Sequence, residues 1–183
     1  MKLVFLGTPE FAVPSLEALA EAGHAVAAVY TQPDRPKGRG RQVAFPPVKE
    51  CALRLGVEVR QPLKIRGCLD ELAALAADAM VVVGYGQIIP QSIIDLPKYG
   101  IFNVHASLLP KYRGAAPIQW AVANGEASTG VAIMQIEAGL DTGPVFDIAT
   151  AEIGPEETSL DLAPRLAAMG ACLMVRSEEH TSE

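Results

Sequence analysis

Residues 2–30 read KLVFLGTPEFAVPSLEALAEAGHAVAAVY, and their order decides the fold class. Residues 2–6 form a β-rich apolar run that breaks at Gly7-Thr8-Pro9. Thr8 suits a helix cap and Pro9 the first helical position. Residues 10–22 then place Phe11, Leu16 and Leu19 at helical spacing and stop at Gly23. Residues 25–30 are a second apolar strand. Strand, helix, strand within thirty residues predicts a βαβ unit, and hence an α/β fold built on a parallel sheet.

The same alternation continues. Pro46-Pro47 opens a short helix ending near Gly56, and residues 57–59 read as a third strand. Residues 69–77 are helical, and residues 78–83 form a nearly continuous apolar strand of the kind buried on both faces. Gly84-Tyr85-Gly86-Gln87 breaks it. Residues 101–105 are the next strand and 116–124 the next helix. Residues 130–136 are a strand with some helical ambiguity, 139–144 a turn, and 145–150 a further strand. Residues 160–175 are helical, with Pro164 expected to bend the first turns.

Composition fits one domain of 183 residues with a sizeable aliphatic core. Cys51, Cys68 and Cys172 have no metal or disulfide spacing, so a reducing compartment and inert packing are expected. The N-terminal apolar run is too short for a signal sequence or a span, which predicts a cytoplasmic protein without membrane contact. The net charge of −6 argues against a generally basic nucleic-acid binder. Residues 34–41, DRPKGRGR, nevertheless gather Arg35, Lys37, Arg39 and Arg41 against the single Asp34. Such a loop suits either solvent or a phosphate backbone.

Ligands of open α/β sheets bind beyond the carboxyl ends of the strands. Gly7-Thr8-Pro9 stands at such an end but lacks the remaining glycines of a dinucleotide fingerprint, which disfavours a nicotinamide or flavin nucleotide. Asn103 and His105 alternate with apolar neighbours, so they share a strand face at its end. His24 falls in a turn and His180 in the tail, which leaves His105 as the candidate for proton transfer. Asp141 lies between glycines in Gly139-Leu-Asp-Thr-Gly143. An Asn, a His and an Asp in one cleft suit acyl transfer to an amine: two donors for an oxyanion and a carboxylate to charge the imidazole. No cluster has metal-ligand spacing.

Asn103-Val-His105, Ser107-Leu-Leu-Pro110 and Gly139-Leu-Asp141-Thr-Gly143 together resemble the signature of the folate-dependent formyltransferases. The longer strings at residues 5–19, 30–41, 103–121 and 129–145 resemble the branch whose acceptor is initiator methionyl-tRNA. The resemblance covers residues 1–175. It implies a Rossmann-like three-layer fold with a mostly parallel sheet. It implies 10-formyltetrahydrofolate as co-substrate, no metal, a monomer, and Asn103, His105 and Asp141 as the catalytic trio. Ser107, Leu108, Leu109 and Pro110 would contact folate, with Gly84, Tyr85, Gly86, Gln87, Ile88 and Ile89 lining the pterin side. Arg35, Lys37, Arg39 and Arg41 would meet tRNA, Arg39 foremost, with Gly7, Thr8, Pro9 and Phe11 near the acceptor.

The resemblance also implies a C-terminal barrel domain that these 183 residues do not include. Residues 176–183, RSEEHTSE, read as a disordered or non-native tail, similar to a translated sequencing adapter. Within the family, a glycinamide ribotide, an amino sugar or water are rival acceptors. A nucleotide-binding Rossmann domain without catalysis is the rival from another class.

Overall fold

The computed structural model describes residues 1–40 and 42–181, with side-chain surroundings through residue 177. The strands are β1 (Lys2–Gly7), β2 (Ala25–Tyr30), β3 (Arg35–Lys37), β4 (Gln42–Ala44), β5 (Val59–Arg60), β6 (Ala79–Val83), β7 (Ile101–His105), β8 (Ser128–Gln135) and β9 (Val145–Glu152). The helices are α1 (Val13–Glu21), α2 (Pro47–Arg54), α3 (Leu69–Leu75), α4 (Gln91–Ile94), α5 (Pro117–Ala123) and α6 (Ser159–Thr181). The main sheet runs β5-β2-β1-β6-β7-β8-β9, and β3 and β4 form a separate hairpin. Pairing is parallel from β5 to β7 and antiparallel from β7 to β9.

Alternating side chains divide the core between the two faces of the sheet. On one face Leu3, Phe5, Val81, Phe102 and Val104 pack against α1, α2, α5 and α6 through Leu16, Cys51, Ile118 and Leu166. On the other, Val4, Leu6, Met80 and Val82 meet Leu72 of α3 and Ile93 of α4. These are the expected three layers. Each fully buried leucine, such as Leu16 or Leu166, contributes about 2–3 kcal/mol relative to an exposed one. In the second cluster the buried contribution of β7 ends at Ile101. Asn103 and His105 continue that same face beyond it.

Helix ends follow local chemistry. Gly23, at φ +87°, ends α1 in a Schellman arrangement, with His24 N–H on the Leu19 carbonyl and Gly23 N–H on that of Ala20. Thr158 and Asp161 form a reciprocal cap at the start of α6.

Several expectations change. Thr8 caps nothing; a 3-10 turn at Glu10–Ala12 precedes α1, and the Thr8 hydroxyl turns to the loop after β6 instead. The strand expected at 57–59 lies at Val59–Arg60, and α4 was not foreseen. The basic stretch holds an antiparallel hairpin rather than an irregular loop. Helix α6 is one element from Ser159 to Thr181 with Pro164 inside it, so it includes the first six residues of the stretch read as a non-native or disordered tail. Cys51 and Cys68 are buried as fillers, but Cys172 is exposed.

Gly7 ends β1 where a Cβ would lie 2.8 Å from both the Val83 carbonyl and the Phe5 ring. Gly7→Ala is therefore expected to cost about 1–3 kcal/mol by overpacking, read from the urea-unfolding midpoint. An unchanged midpoint would show that this approach is not tight.

Candidate active site

His105 ends β7 with its side chain 8% exposed. Its Nε2 lies 2.8 Å from the Tyr112 carbonyl. A carbonyl only accepts, so this nitrogen carries the hydrogen. Nδ1 then faces Asp141 Oδ2 at 3.6 Å, within ion-pair range but beyond a hydrogen bond. Asn103 stands two residues earlier on the same strand face, half-buried, and its amide makes no hydrogen bond among the described residues.

Asp141 reaches this place by an unobvious route. Strand β8 runs antiparallel to β7, so its last residue, Gln135, pairs with Phe102 near the start of β7. The connection to β9 leaves at that edge, with Ile136 N–H on the Ile101 carbonyl. To meet His105, it must fold back over the face of β7 that α3 and α4 leave uncovered. There the Asp141 carboxylate accepts Gly114 N–H at 2.7 Å, with Asp141 itself at φ +50°.

The sequence-expected ligand loops divide into exposed and structural positions. Ser107 is fully buried; its hydroxyl donates to the Lys111 carbonyl at 2.6 Å. The hydroxyl therefore shapes its own loop, and a contact of Ser107 with folate would fall to its backbone. Leu108 and Leu109 are half-buried and Pro110 is exposed. Tyr85 is buried too, and burial pushes its phenol well above the ordinary range. Its carbonyl accepts Thr8 Oγ1 at 3.1 Å and Gln32 Nε2 at 3.0 Å, tying the ends of β1, β2 and β6 together. Gln87 accepts Ile65 N–H at 2.7 Å, and Ile89 packs on the second core cluster. Tyr85, Gln87 and Ile89 therefore build the loop, whereas Gly84, Gly86 and Ile88 are exposed on it.

Beside these strand ends lies a cleft of about 470 Å³. Thr8, Pro9, Gln32 and Gly86 line it from the sheet, and Arg35, Lys37 and Phe45 from the hairpin. It does not include Asn103, His105 or Asp141. Gly7 and Phe11 also lie outside it: Gly7 packs against Val83 and Phe11 against the first core cluster. Arg39 sits exposed in the hairpin turn, and Arg41 is outside the described residues. The hairpin is clasped at its root, where Lys49 Nζ reaches Asp34 at 2.7 Å and stands 3.8 Å from the centre of the Phe45 ring. Gln61 Nε2 also donates to Asp34, at 2.7 Å.

Residues 1–177 match the family model described as "Formyl transferase". The chain belongs to the formyl transferase family. It is 60% identical over 179 residues to a methionyl-tRNA formyltransferase of Solibacter usitatus, and 62% over 180 residues to one of Koribacter versatilis. Each match covers 97% of this chain and 58% of the relative, so the chain spans under two thirds of these relatives' length. The fold is also that of the phosphoribosylglycinamide formyltransferase of Streptococcus pneumoniae. That structure aligns at TM-score 0.81 and 21% identity over all of this chain and 98% of the other. Among the described residues no His, Cys, Asp and Glu side chains gather as a metal site, and no helix is long and apolar enough to cross a membrane.

Several residues that shape the site gave no motif of their own: Tyr112, Gly114, Gln32, Lys49 and Gln61. Gln32 was within reach of the strand-end rule, since it stands two residues after the end of β2. The others are brought in by tertiary contacts that local sequence does not encode.

Lys49, ahead of Gln61, holds the Asp34 carboxyl below the usual carboxylate range. A depressed folded pKa means that the clasp stabilises the hairpin above the unfolded value, near 3.9, and is lost as pH falls through the folded one. A carbon-13 titration of Asp34 should give a midpoint below that of a free aspartate, and Lys49→Met should raise it. A midpoint indifferent to Lys49→Met would dismiss the clasp.

Proposed function

We propose that this chain transfers a formyl group from 10-formyltetrahydrofolate to the α-amino group of methionine esterified to initiator tRNA. The observation that carries the chemistry is the convergence of Asn103, His105 and Asp141 at the end of β7, on the open face of the sheet. The choice of acceptor draws on the relatives' name and on the basic hairpin beside the cleft.

The uncharged amine attacks the formyl carbon and the carbonyl oxygen becomes an oxyanion. The unengaged Asn103 amide is a donor suited to that oxygen. His105 as imidazolium would supply a positive charge beside it, with the Asp141 carboxylate facing its Nδ1 at 3.6 Å. Since Nε2–H is held by Tyr112, the ring proton that exchanges is the one on Nδ1. Collapse of the tetrahedral intermediate breaks the bond from formyl carbon to N10. The amine loses one proton, N10 gains one, and the products are the formamide and tetrahydrofolate. No step calls for a serine or cysteine nucleophile.

The hairpin handles a different task. Arg35, Lys37 and Arg39 are exposed cations on an otherwise acidic chain, so phosphate contact would be local and salt-sensitive.

The test is formylation of methionyl initiator tRNA at saturating donor. Asp141→Asn and Asn103→Ala should each lower kcat by about 10²–10³-fold. Arg39→Ala should raise the KM for tRNA several-fold, with a smaller salt dependence and kcat retained. Formate release at one rate with and without the acceptor would replace this reading by hydrolysis of the formyl folate.

A further inference from the structure

Tyr112 stands outside the reacting trio, yet independent features of the structure converge on it. Its backbone is left-handed, at φ +54°, a conformation that a residue with a Cβ adopts only under restraint. Its carbonyl is the acceptor for His105 Nε2–H. Its phenol donates to Glu126 Oε1 at 2.7 Å and accepts from Asn124 Nδ2 at 2.9 Å. Both partners come from the end of α5. There Gly125, at φ +65°, closes a Schellman motif, with Gly125 N–H on the Val122 carbonyl and Glu126 N–H on that of Ala121. The phenol, and then Lys111 at 3.5 Å, hold the Glu126 carboxyl below its ordinary range, so it is a committed anion at neutral pH.

Two acceptors compete for the single hydrogen of a neutral His105. The Asp141 carboxylate is the stronger in kind, because charge-assisted hydrogen bonds exceed neutral ones. At 3.6 Å, however, it lies outside bonding distance, whereas the Tyr112 carbonyl at 2.8 Å lies within it. Moving that carbonyl by an ångström would reverse the order. The hydrogen would then pass to Nδ1, and the neutral ring would present no base beside Asp141.

We propose that Tyr112 is the positioning residue of His105. Glu126 and Asn124 clamp its phenol, the clamp holds its carbonyl against Nε2, and the imidazole is thereby fixed in the tautomer whose Nδ1 exchanges protons. The proposal rests on the acyl-transfer reading of the site.

The test uses the full chain with Tyr112→Phe, which removes only the clamped hydroxyl, and with Glu126→Ala and Glu126→Gln. Nitrogen-15 spectra of the His105 ring without substrate show which nitrogen carries the hydrogen. The unaltered chain should show Nε2–H. Tyr112→Phe and Glu126→Ala should shift the ring toward Nδ1–H and lower kcat about tenfold, leaving the KM for the formyl donor within about twofold. Glu126→Gln keeps an acceptor for the phenol and should restore the Nε2–H signal. An unchanged tautomer in both Tyr112→Phe and Glu126→Ala would overturn the proposal. Should Tyr112→Phe fail to fold, Glu126→Ala decides alone, because Glu126 lies on the surface side of the clamp. Absence of transfer in the unaltered chain would count against the proposed reaction, while the ring spectra would still decide the clamp.

Discussion

The reversal of strand direction at β7 governs where everything reactive stands. Up to β7 each strand is parallel to its neighbour, and the ends at Gly7, Tyr30, Val83 and His105 open on one edge of the sheet. Beyond β7 the pairing is antiparallel, so the connection from β8 to β9 emerges at the opposite edge. A carboxylate on that connection meets His105 only by lying back across β7. This is possible because the helical cover of α3 and α4 stops at Ile101. One layer of the sandwich is left incomplete, and a polar loop occupies the gap. A helix there would have buried Asn103 and His105 beneath apolar side chains.

Holding that loop and the β7–α5 connection it meets is expensive in backbone terms. Tyr112, Ala116 and Asp141 are all left-handed without being glycine. At about 1–2 kcal/mol each, these conformations persist only where surroundings over-determine them. The contacts are on hand: Gly114 N–H to Asp141, His105 to the Tyr112 carbonyl, and the phenol of Tyr112 to Glu126. Net hydrogen-bond contributions near 1 kcal/mol, rising to about 1.5–3 for charged partners, are of the size needed to offset them. Strain and restraint are shared by two connections, β7 to α5 and β8 to β9, and they meet on the two sides of a single imidazole.

Much of the fold was legible in the sequence because period and punctuation agree there. Residues 2–30 carry apolar runs of strand length and a glycine at the helix stop, and the structure follows them, whereas the helix start expected at Pro9 falls at Val13 after a 3-10 turn. Asn103 and His105 were legible for a similar reason, since alternation along a strand fixes which side chains share a face. Asp141 was found only through its motif; its meeting with His105 depends on a loop folding against the direction that β8 sets. Tyr112 and Glu126 were illegible for another reason. Their partnership joins a left-handed loop residue to a helix end fourteen positions away, and no periodic pattern spans such a pair. Ser107 and Tyr85 show the opposite case. Their motif positions drew attention, yet burial turned their side chains into scaffolding.

The separation between the trio and the cleft beneath the hairpin has a physical logic of its own. The cleft is walled by cations and by the apolar faces of Phe45 and several prolines, whereas the trio is nearly dry and carries one carboxylate and one imidazole. On the proposed reading, a strongly cationic wall beside His105 would oppose the positive charge asked of its ring. Distance lets each environment keep its own electrostatics. On the proposed reading it also gives the acceptor two handles: phosphates held at the hairpin by long-range charge, and an amine placed at the trio by short-range hydrogen bonds. The chain carries a net charge of −6, and residues 34–41 gather four cations against one carboxylate. On the proposed reading, attraction at that local cluster orients an approaching polyanion before contact forms.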